Sequence, residues 1–151
     1  MKPRREQAVL TFREATNHDH NFLFNLHVRT MKTYVEQIWG WDEAKAMKMF
    51  RERVARGDYE VIVLNGVDIG AINCHRDKST IYVSNIEILP EYQRRGLGTK
   101  VMERIIAEAR RDGLTVTLRV LKMNPARSLY ERLGFVLTKK DETHYYYMLR
   151  V

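Results

Sequence analysis

The sequence has little of what would tie it to an oxidising compartment or to a membrane. It contains one cysteine, Cys74, in 151 residues, which excludes an intrachain disulfide and a cysteine-based zinc site and predicts a reducing compartment, most simply the cytoplasm. No apolar run reaches the roughly 20 residues that span a membrane. The basic start, residues 1–7, is not followed by the apolar core of a signal peptide. We therefore expect the chain to stay where it is made, with Cys74 buried in a strand.

Linker-like sequence is also scarce. The chain has 3 prolines and shows no repeat, no Gly/Ser-rich stretch and no low-complexity tract. A length of 151 residues suits one ordinary domain, which is large enough to bury most of the surface that its unfolded chain exposes. The sequence thus predicts a single domain over residues 1–151.

Acidic residues are the minority among the charged ones. Lys and Arg number 26 against 19 Asp and Glu, so the formal net charge is +7, and the surface field should favour anionic partners. The basic residues form scattered pairs rather than one run, and no RNA-binding aromatic motif is present. This pattern makes nucleic acid a weak candidate partner, and ordinary solvated charge is the simpler interpretation.

One short segment has the features of an anion-binding loop. Residues 93–98 read Gln-Arg-Arg-Gly-Leu-Gly, between an extended run at 81–89 and a helical pattern that begins near Gly96. The glycines let a ligand approach the backbone, and the free N–H groups of a helix start attract negative charge, helped here by Arg94 and Arg95. We therefore predict that a phosphate binds at this loop.

The spacing of this segment excludes two common nucleotide-binding motifs. A Walker loop requires a further glycine upstream and a lysine directly after the last one, whereas Gly98 is followed by Thr99 and Lys100. A dinucleotide fingerprint requires a third glycine where Val101 stands. The remaining alternative to a phosphate site is a plain strand, turn and helix without a ligand.

A second segment, residues 124–135, reads Asn-Pro-Ala-Arg-Ser-Leu-Tyr-Glu-Arg-Leu-Gly-Phe. The two segments, in this order, resemble those of the GNAT superfamily of acetyl-CoA-dependent N-acetyltransferases. The first matches its Q/R-x-x-G-x-G/A pyrophosphate loop, and the second resembles its segment of asparagine, tyrosine and Gly-Phe, here Asn124, Tyr130 and Gly134-Phe135. Either motif alone is weak, whereas the ordered pair is specific.

Hydrophobic periodicity and turn residues predict the element order β-α-α-β-β-β-α-β-α-β-β. The predicted strands cover 8–13, 59–64, 69–74, 79–89, 114–121, 135–137 and 143–149. The predicted helices begin at Thr16 or Asn17, at Asp42, at Gly96 and at Pro125. This order resembles the GNAT architecture over essentially the whole chain, which implies an α/β (α+β) fold. Its mixed, mostly antiparallel sheet would be flanked by helices and splayed beside the pyrophosphate loop.

The resemblance also implies how acetyl-CoA binds. Its pyrophosphate would lie on the loop, and its pantetheine arm would pair with a strand edge in the splayed gap, where the N–H of Ile88 faces the thioester carbonyl. The phosphates of CoA would use much of the positive charge. The cofactor-binding residues implied are Ile86, Glu87, Ile88, Gln93, Arg94, Arg95, Gly96, Leu97, Gly98, Thr99, Asn124, Arg127 and Tyr130.

Acetyl transfer to an amine requires an acid for the departing thiolate and a route for the amine proton. Tyr130 occupies the position of the superfamily's acid, and a phenol with a pKa near ~10 is protonated at neutral pH; its alternative role is a core tyrosine. We predict Glu87 as the base, because strand alternation puts it opposite its isoleucine neighbours where the sheet opens. A structural ion pair of Glu87, or a water chain held by Tyr82 or His75, is the alternative.

The acceptor amine is not identified by the sequence. Tyr34, Trp39 and Trp41 stand beside acidic residues and are predicted to form a wall for a cationic amine, unless they plug the core. No metal is expected, since His18, His20 and His27 have no converging partners. We predict an N-acetyltransferase acting by direct attack in a ternary complex, as a monomer or homodimer. The alternatives are a non-catalytic acyl-CoA-binding module and an acetyltransferase acting on charged tRNA.

Overall fold

The computed structural model describes residues 8–151, so the basic start at 1–7 lies outside the described part. The described chain forms a seven-stranded sheet in the order β1-β2-β3-β4-β5-β7-β6. The strands are β1 Leu10–Glu14, β2 Tyr59–Leu64, β3 Val67–Arg76, β4 Thr80–Ile88, β5 Thr115–Leu121, β6 Val136–Lys140 and β7 His144–Leu149. The α-helices are α1 His20–Ile38, α2 Glu43–Ala55, α3 Leu97–Asp112 and α4 Arg127–Arg132. The predicted order of elements and the fold class are confirmed.

The predicted turn and capping residues lie at turns and helix starts, but α1 and α4 begin a few residues later than predicted. Asn65 and Gly66 both have positive φ angles, 50° and 80°, which is the geometry of a type I′ hairpin turn. Thr16 caps a short 3-10 turn, residues 17–19, rather than α1 itself, so α1 begins later than predicted, at His20. Pro125 lies in the turn before α4 and not in its first turn, since the helix begins at Arg127.

The sheet separates two apolar layers. On one face α3 and α4 pack on the central strands, and on the other α1 and α2 pack on β2 and β3, with α1 also contacting β4. The α3 layer includes Val101, Met102, Ile105, Leu118 and Tyr147. The α1–α2 layer includes Leu23, Leu26, Phe50, Val61 and Ala71.

The sheet is splayed between β4 and β5. These parallel strands pair only where residues 80–83 face residues 115–118, and they separate beyond Val83 and Leu118. A β-bulge lies at the same place, because Asn73 and Cys74 of β3 are opposite Asn85 and Val83, which leaves Ser84 as the extra residue. The gap and the bulge together open the sheet in its middle.

Gly70 of β3 lets β4 pass close by after the bulge. A Cβ atom at this position would lie 2.3 Å from the carbonyl oxygen of Glu87 and 3.2 Å from the Cα of Ile88. Any larger residue would push these two strands apart, since real Cβ atoms do not approach backbone atoms so closely. The glycine therefore fixes the position of the strand segment that borders the gap.

The structure also bears on three expectations from composition. Cys74 is buried, as predicted, and burial raises the pKa of its thiol to about 11. Over residues 8–151, no helix is long and apolar enough to cross a membrane. The same residues hold no cluster of three or more His, Cys, Asp or Glu side chains arranged to bind a metal ion.

Candidate active site

The gap between β4 and β5 opens into a cavity of about 630 Å³, within the range of roughly 300–1,000 Å³ typical of small-molecule sites. Helices α1 and α2 form one wall, and the segment around α4 forms the other. The lining includes His27, Met31, Val35, Trp39, Trp41, Asp42, Lys45, Met49, Arg53, Ser84, Asn85, Arg119, Asn124, Tyr130 and His144.

The predicted anion loop has free backbone donors at the start of α3. Arg94 and Gly96 adopt left-handed conformations, with φ angles of 62° and 75°. The N–H of Lys100 donates to the carbonyl of Gly96 at 3.2 Å, so the N–H groups of the three residues between them precede the helical hydrogen bonds. No side chain of the described chain caps this end. The exposed guanidinium groups of Arg94 and Arg95 add positive charge beside these donors.

The edge of β4 that borders the gap is free for a ligand. The N–H of Leu89 donates to the carbonyl of Ile69 in β3 at 2.8 Å. Because N–H groups alternate in direction along a strand, those of Ile86 and Ile88 point away from β3 and into the gap. The side-chain amide of Gln93 donates to the carbonyl of Ile88 at 2.8 Å, which ties the anion loop to this edge.

Tyr130 reaches the cavity from α4. Its residue exposure is 7%, and its hydroxyl has no hydrogen-bond partner within the described chain. Burial raises the pKa of Tyr130 to about 12, so the phenol keeps its proton at neutral pH. Asn124 lines the same wall; its side-chain oxygen accepts from the N–H of Ala126 at 3.0 Å, which leaves its amide N–H groups for a ligand.

Arg127, the other predicted cofactor ligand in this segment, lies in a local network rather than on the cavity wall. Its guanidinium donates to Glu131 at 3.1 Å and to the hydroxyl of Tyr147 at 2.8 Å. The same group lies 4.0 Å from the ring centre of Tyr145. These contacts hold α4 against β7, which is how Arg127 supports the wall that carries Tyr130.

Glu87 is buried, with 5% of its surface exposed, and does not itself line the cavity. Its Oε1 atom accepts from the side-chain amide of Asn85 at 2.7 Å and lies 2.6 Å from Nδ1 of His27. The His27 ring is stacked on Trp41, 5.7 Å between ring centres, and meets Phe50 edge-on at 5.2 Å. His27 lines the cavity, so the carboxylate reaches that space through the imidazole.

His27 was not predicted from the sequence to be an active-site residue. It was considered there only as a possible metal ligand. It shares one face of α1 with Met31 and Val35, which also line the cavity. The spacing i, i+4, i+8 was a usable signal for this face. Its partner Glu87 lies 60 residues away along the chain, and that contact has no local signature.

The three predicted wall aromatics differ in position. Trp39 and Trp41 line the cavity, whereas Tyr34 does not. Trp39 is 61% exposed, and its ring centre lies 6.1 Å from that of His144, so the α1–α2 turn meets the β6–β7 hairpin there. Burial, and then the charge of Arg119, lowers the pKa of His144. Neither His144 nor Arg119 had been assigned to the site from the sequence.

The alternative proton route, through Tyr82 or His75, lies in an adjoining cavity of about 560 Å³. Arg53 and Ser84 line both cavities, so the two spaces adjoin along the inner side of α2. His75 Nδ1 lies 3.4 Å from the carboxylate of Asp58. Tyr82 and His75 are thus displaced from the wall that carries Tyr130.

Known proteins resemble this chain in sequence. The family model described as the acetyltransferase (GNAT) domain matches residues 30–145. The ribosomal protein bS18-alanine N-acetyltransferase of Haemophilus influenzae is 36% identical over 77 residues, which make up 49% of this chain and 51% of that relative. The chain therefore spans about half the length of this curated relative in the match.

Solved structures share the fold over nearly the whole chain. The ribosomal-protein-S18-alanine N-acetyltransferase of Escherichia coli has a TM-score of 0.73 at 23% identity, covering 95% of this chain and 94% of that one. The PaiA N-acetyltransferase of Thermoplasma acidophilum, solved in complex with coenzyme A, has a TM-score of 0.74 at 16% identity and covers 95% and 99%. Identities this low establish a common fold and no more.

Proposed function

The chain belongs to the GNAT acetyltransferase family, and from this we propose that it transfers an acetyl group from acetyl-CoA to a primary amine. One observation carries the proposal: the free edge of β4, which Gln93 ties to the anion loop, and the buried Tyr130 border the gap where β4 and β5 separate. The loop suits the pyrophosphate, and the strand edge suits the amides of the pantetheine arm. The thioester would then lie in the cavity between Ile88 and Tyr130.

The chemistry follows from these positions. The amine nitrogen attacks the thioester carbonyl carbon, and the N–H of Ile88 donates to the oxyanion that develops. The C–S bond then breaks, and the thiolate takes the proton of the Tyr130 hydroxyl. Because the substrates are held side by side, the reaction needs no covalent enzyme intermediate.

We infer that the amine proton leaves through His27 and Glu87. In the tautomer that donates Nδ1–H to the Glu87 carboxylate, Nε2 of His27 carries a lone pair, and the ring lines the cavity. Nε2 would take the proton, and the buried carboxylate would balance the imidazolium that forms. Glu87 thus acts on the amine through the imidazole, as the carboxylate of a catalytic triad does.

His27→Gln is expected to lower kcat/KM by roughly 10-fold to 10²-fold near neutral pH, with a smaller loss at alkaline pH, where more of the amine is neutral without help. Glu87→Gln should act in the same direction, because it retains the hydrogen bond but removes the balancing charge. The measurement is kcat/KM against pH for each variant with one acceptor, after thermal melts show that the protein is folded.

His75→Gln is the matched control for this prediction, since it removes an imidazole from the adjoining cavity. Its pH profile should superimpose on that of the unaltered protein. If His75→Gln loses activity while His27→Gln keeps it, the proton leaves through the alternative water chain. If Glu87→Gln changes only the melting temperature, Glu87 is a structural residue.

The acceptor is a primary amine whose identity needs a direct screen. The relative from Haemophilus influenzae is named as acting on an alanine of a ribosomal protein, which supports an N-terminal α-amine of a peptide or protein as the first class to test. We expect CoA release with at least one member of a panel of peptides, polyamines, amino acids and aminoglycosides, with the acetylated product found by mass spectrometry. Binding of acetyl-CoA without turnover of any amine would favour a non-catalytic acyl-CoA-binding module.

The predictions about tRNA, location, oligomeric state and domain organisation stay predictions. Charged tRNA is the rival acceptor motivated by the net charge of +7, and binding of tRNA that weakens steeply with salt would support it. A cytoplasmic location and a monomeric or homodimeric state stay predictions, as does a single domain over residues 1–151.

A further inference from the structure

We propose that the acceptor amine carries a carboxylate, which Arg53 binds inside the cavity. The inference rests on the proposed acetyl transfer and narrows the class of acceptor. A free α-amino acid and a peptide with an acidic residue next to its N-terminus share this chemistry. The sequence had instead predicted a cationic amine, from the acidic residues around the two tryptophans.

The cavity wall holds cations that lack carboxylate partners. Lys45, Met49 and Arg53 follow one another at i, i+4 and i+8 along the inner face of α2, and Arg119 lines the wall from β5. In the part of the chain that the structure describes, Lys45, Arg53 and Arg119 form no ion pair. Seven of the other 13 described arginines do, namely Arg13, Arg29, Arg56, Arg76, Arg104, Arg111 and Arg127.

Acidic side chains balance only part of this charge on the wall itself, since the carboxylate of Glu87 lies behind His27 and contacts that imidazole. Among residues 8–151, Asp42 is the only acidic residue on the cavity wall, and its carboxylate accepts from the N–H of Lys45 at 3.1 Å as the cap of α2. Glu36 lies 3.7 Å from Lys32 in a helical ion pair and is not on the wall. Burial is the main cause that lowers the pKa of His144 on the same wall, and the charge of Arg119 lowers it further while Asp141 opposes the shift.

These cations lie on the face of the sheet that α2 covers, where the acceptor would bind, and not on the α3 face, where the anion loop lies. The anion loop starts α3, whose apolar face packs on one side of the sheet, and α2 packs on the other. Arg119 stands between Leu118 and Val120, which are buried in the α3 layer, so strand alternation directs Arg119 toward the α2 side. The phosphates of acetyl-CoA therefore leave these charges unmatched.

Of Lys45, Arg53 and Arg119, Arg53 is the best placed to bind a carboxylate of the acceptor. It is half-buried beside the Tyr59 hydroxyl, whereas Lys45 and Arg119 are exposed, and a partly desolvated guanidinium binds a carboxylate more strongly than an exposed one. It also lines the adjoining cavity, whose own Arg56 and Arg76 are already paired with Asp58 and Glu60. A substrate with its amine near Tyr130 would have room to extend its carboxylate to Arg53.

The test compares acceptors that differ only in charge. Three tripeptide amides, Ala-Glu-Ala, Ala-Gln-Ala and Ala-Lys-Ala, are assayed for kcat/KM, together with alanine and alaninamide. We expect the glutamate peptide to exceed the glutamine peptide by about 10-fold or more, as a charge-assisted hydrogen bond implies, and the lysine peptide to be poorest. A preference for alanine over alaninamide would identify free amino acids as the source of the carboxylate.

Arg53→Gln should lower kcat/KM for the glutamate peptide to that of the glutamine peptide. Arg51→Gln, an exposed change on the other side of the same helix, is the matched control and should keep the preference. Equal or better turnover of the lysine peptide and alaninamide would overturn this inference alone. If no amine is acetylated although acetyl-CoA binds, the proposed function fails and this inference with it.

Discussion

Tyr130→Phe is expected to lower kcat by roughly 10²-fold or more while acetyl-CoA affinity stays nearly unchanged. The substitution keeps the ring between Phe135 and Tyr147, 6.0 and 6.5 Å from their ring centres, and removes only the hydroxyl. That hydroxyl has no partner within the described chain, so no structural hydrogen bond is lost. The loss should therefore appear in the chemical step, as measured by single-turnover kinetics at saturating acetyl-CoA.

The pH dependence sharpens this expectation. Burial raises the pKa of Tyr130 to about 12, so the acid form is fully present at neutral pH and is lost only as the pH rises toward that value. The activity of the unaltered enzyme should thus show no alkaline decline from Tyr130 below about pH 11. Tyr145→Phe, which removes a hydroxyl outside the cavity wall, is the control and should keep its turnover. Full turnover in Tyr130→Phe would show that the thiolate leaves without this acid.

Replacing Gly96 and Gly98 together with valine is expected to abolish stabilisation by acetyl-CoA. In the unaltered protein a ligand at 100-fold excess over Kd stabilises the native state by about 2.7 kcal/mol. Valine at Gly96 must adopt a φ of 75°, and the Cβ at Gly98 would lie 3.4 Å from Leu129. The two side chains would stand where the phosphate must approach the backbone N–H groups. The measurement is the melting temperature with and without millimolar acetyl-CoA.

Gly113→Val is the matched control for the strain that this double substitution introduces. Gly113 ends the same helix with a φ of 68°, and its Cβ position is open, with nothing within 4 Å. It should lower the melting temperature through the strain of a β-branched residue at positive φ, yet keep the shift caused by acetyl-CoA. An unchanged ligand shift in the loop variant would move the phosphate site away from α3.

The element order could be predicted from the sequence because its signals are local. Asp42 caps α2 through an N–H only three residues away, and the Asn65-Gly66 turn fixes the β2–β3 hairpin by its own backbone preferences. The loop at Gly96 and the wall residue Tyr130 were likewise predicted from short motifs. Such features depend on neighbours in the chain, so their spacing in the sequence is enough to identify them.

The residues that the sequence missed depend on contacts between distant segments. His27 gains its place from Glu87, and His144 reaches the cavity only because β7 pairs with β5. The helix face of α1 was also ambiguous, since Tyr34 and Val35 are adjacent and only Val35 lines the cavity.

The splay has a further consequence, for self-association. Beyond Val83 and Leu118, β4 and β5 present unpaired strand edges in the middle of the sheet, and such edges are templates on which another polypeptide can add. Here the bulge at Ser84 and the amide of Gln93 on the carbonyl of Ile88 partly protect them. A bound pantetheine arm would complete that protection, so acetyl-CoA would act as the missing strand. In the proposed complex, removal of acetyl-CoA would leave these inner edges open again.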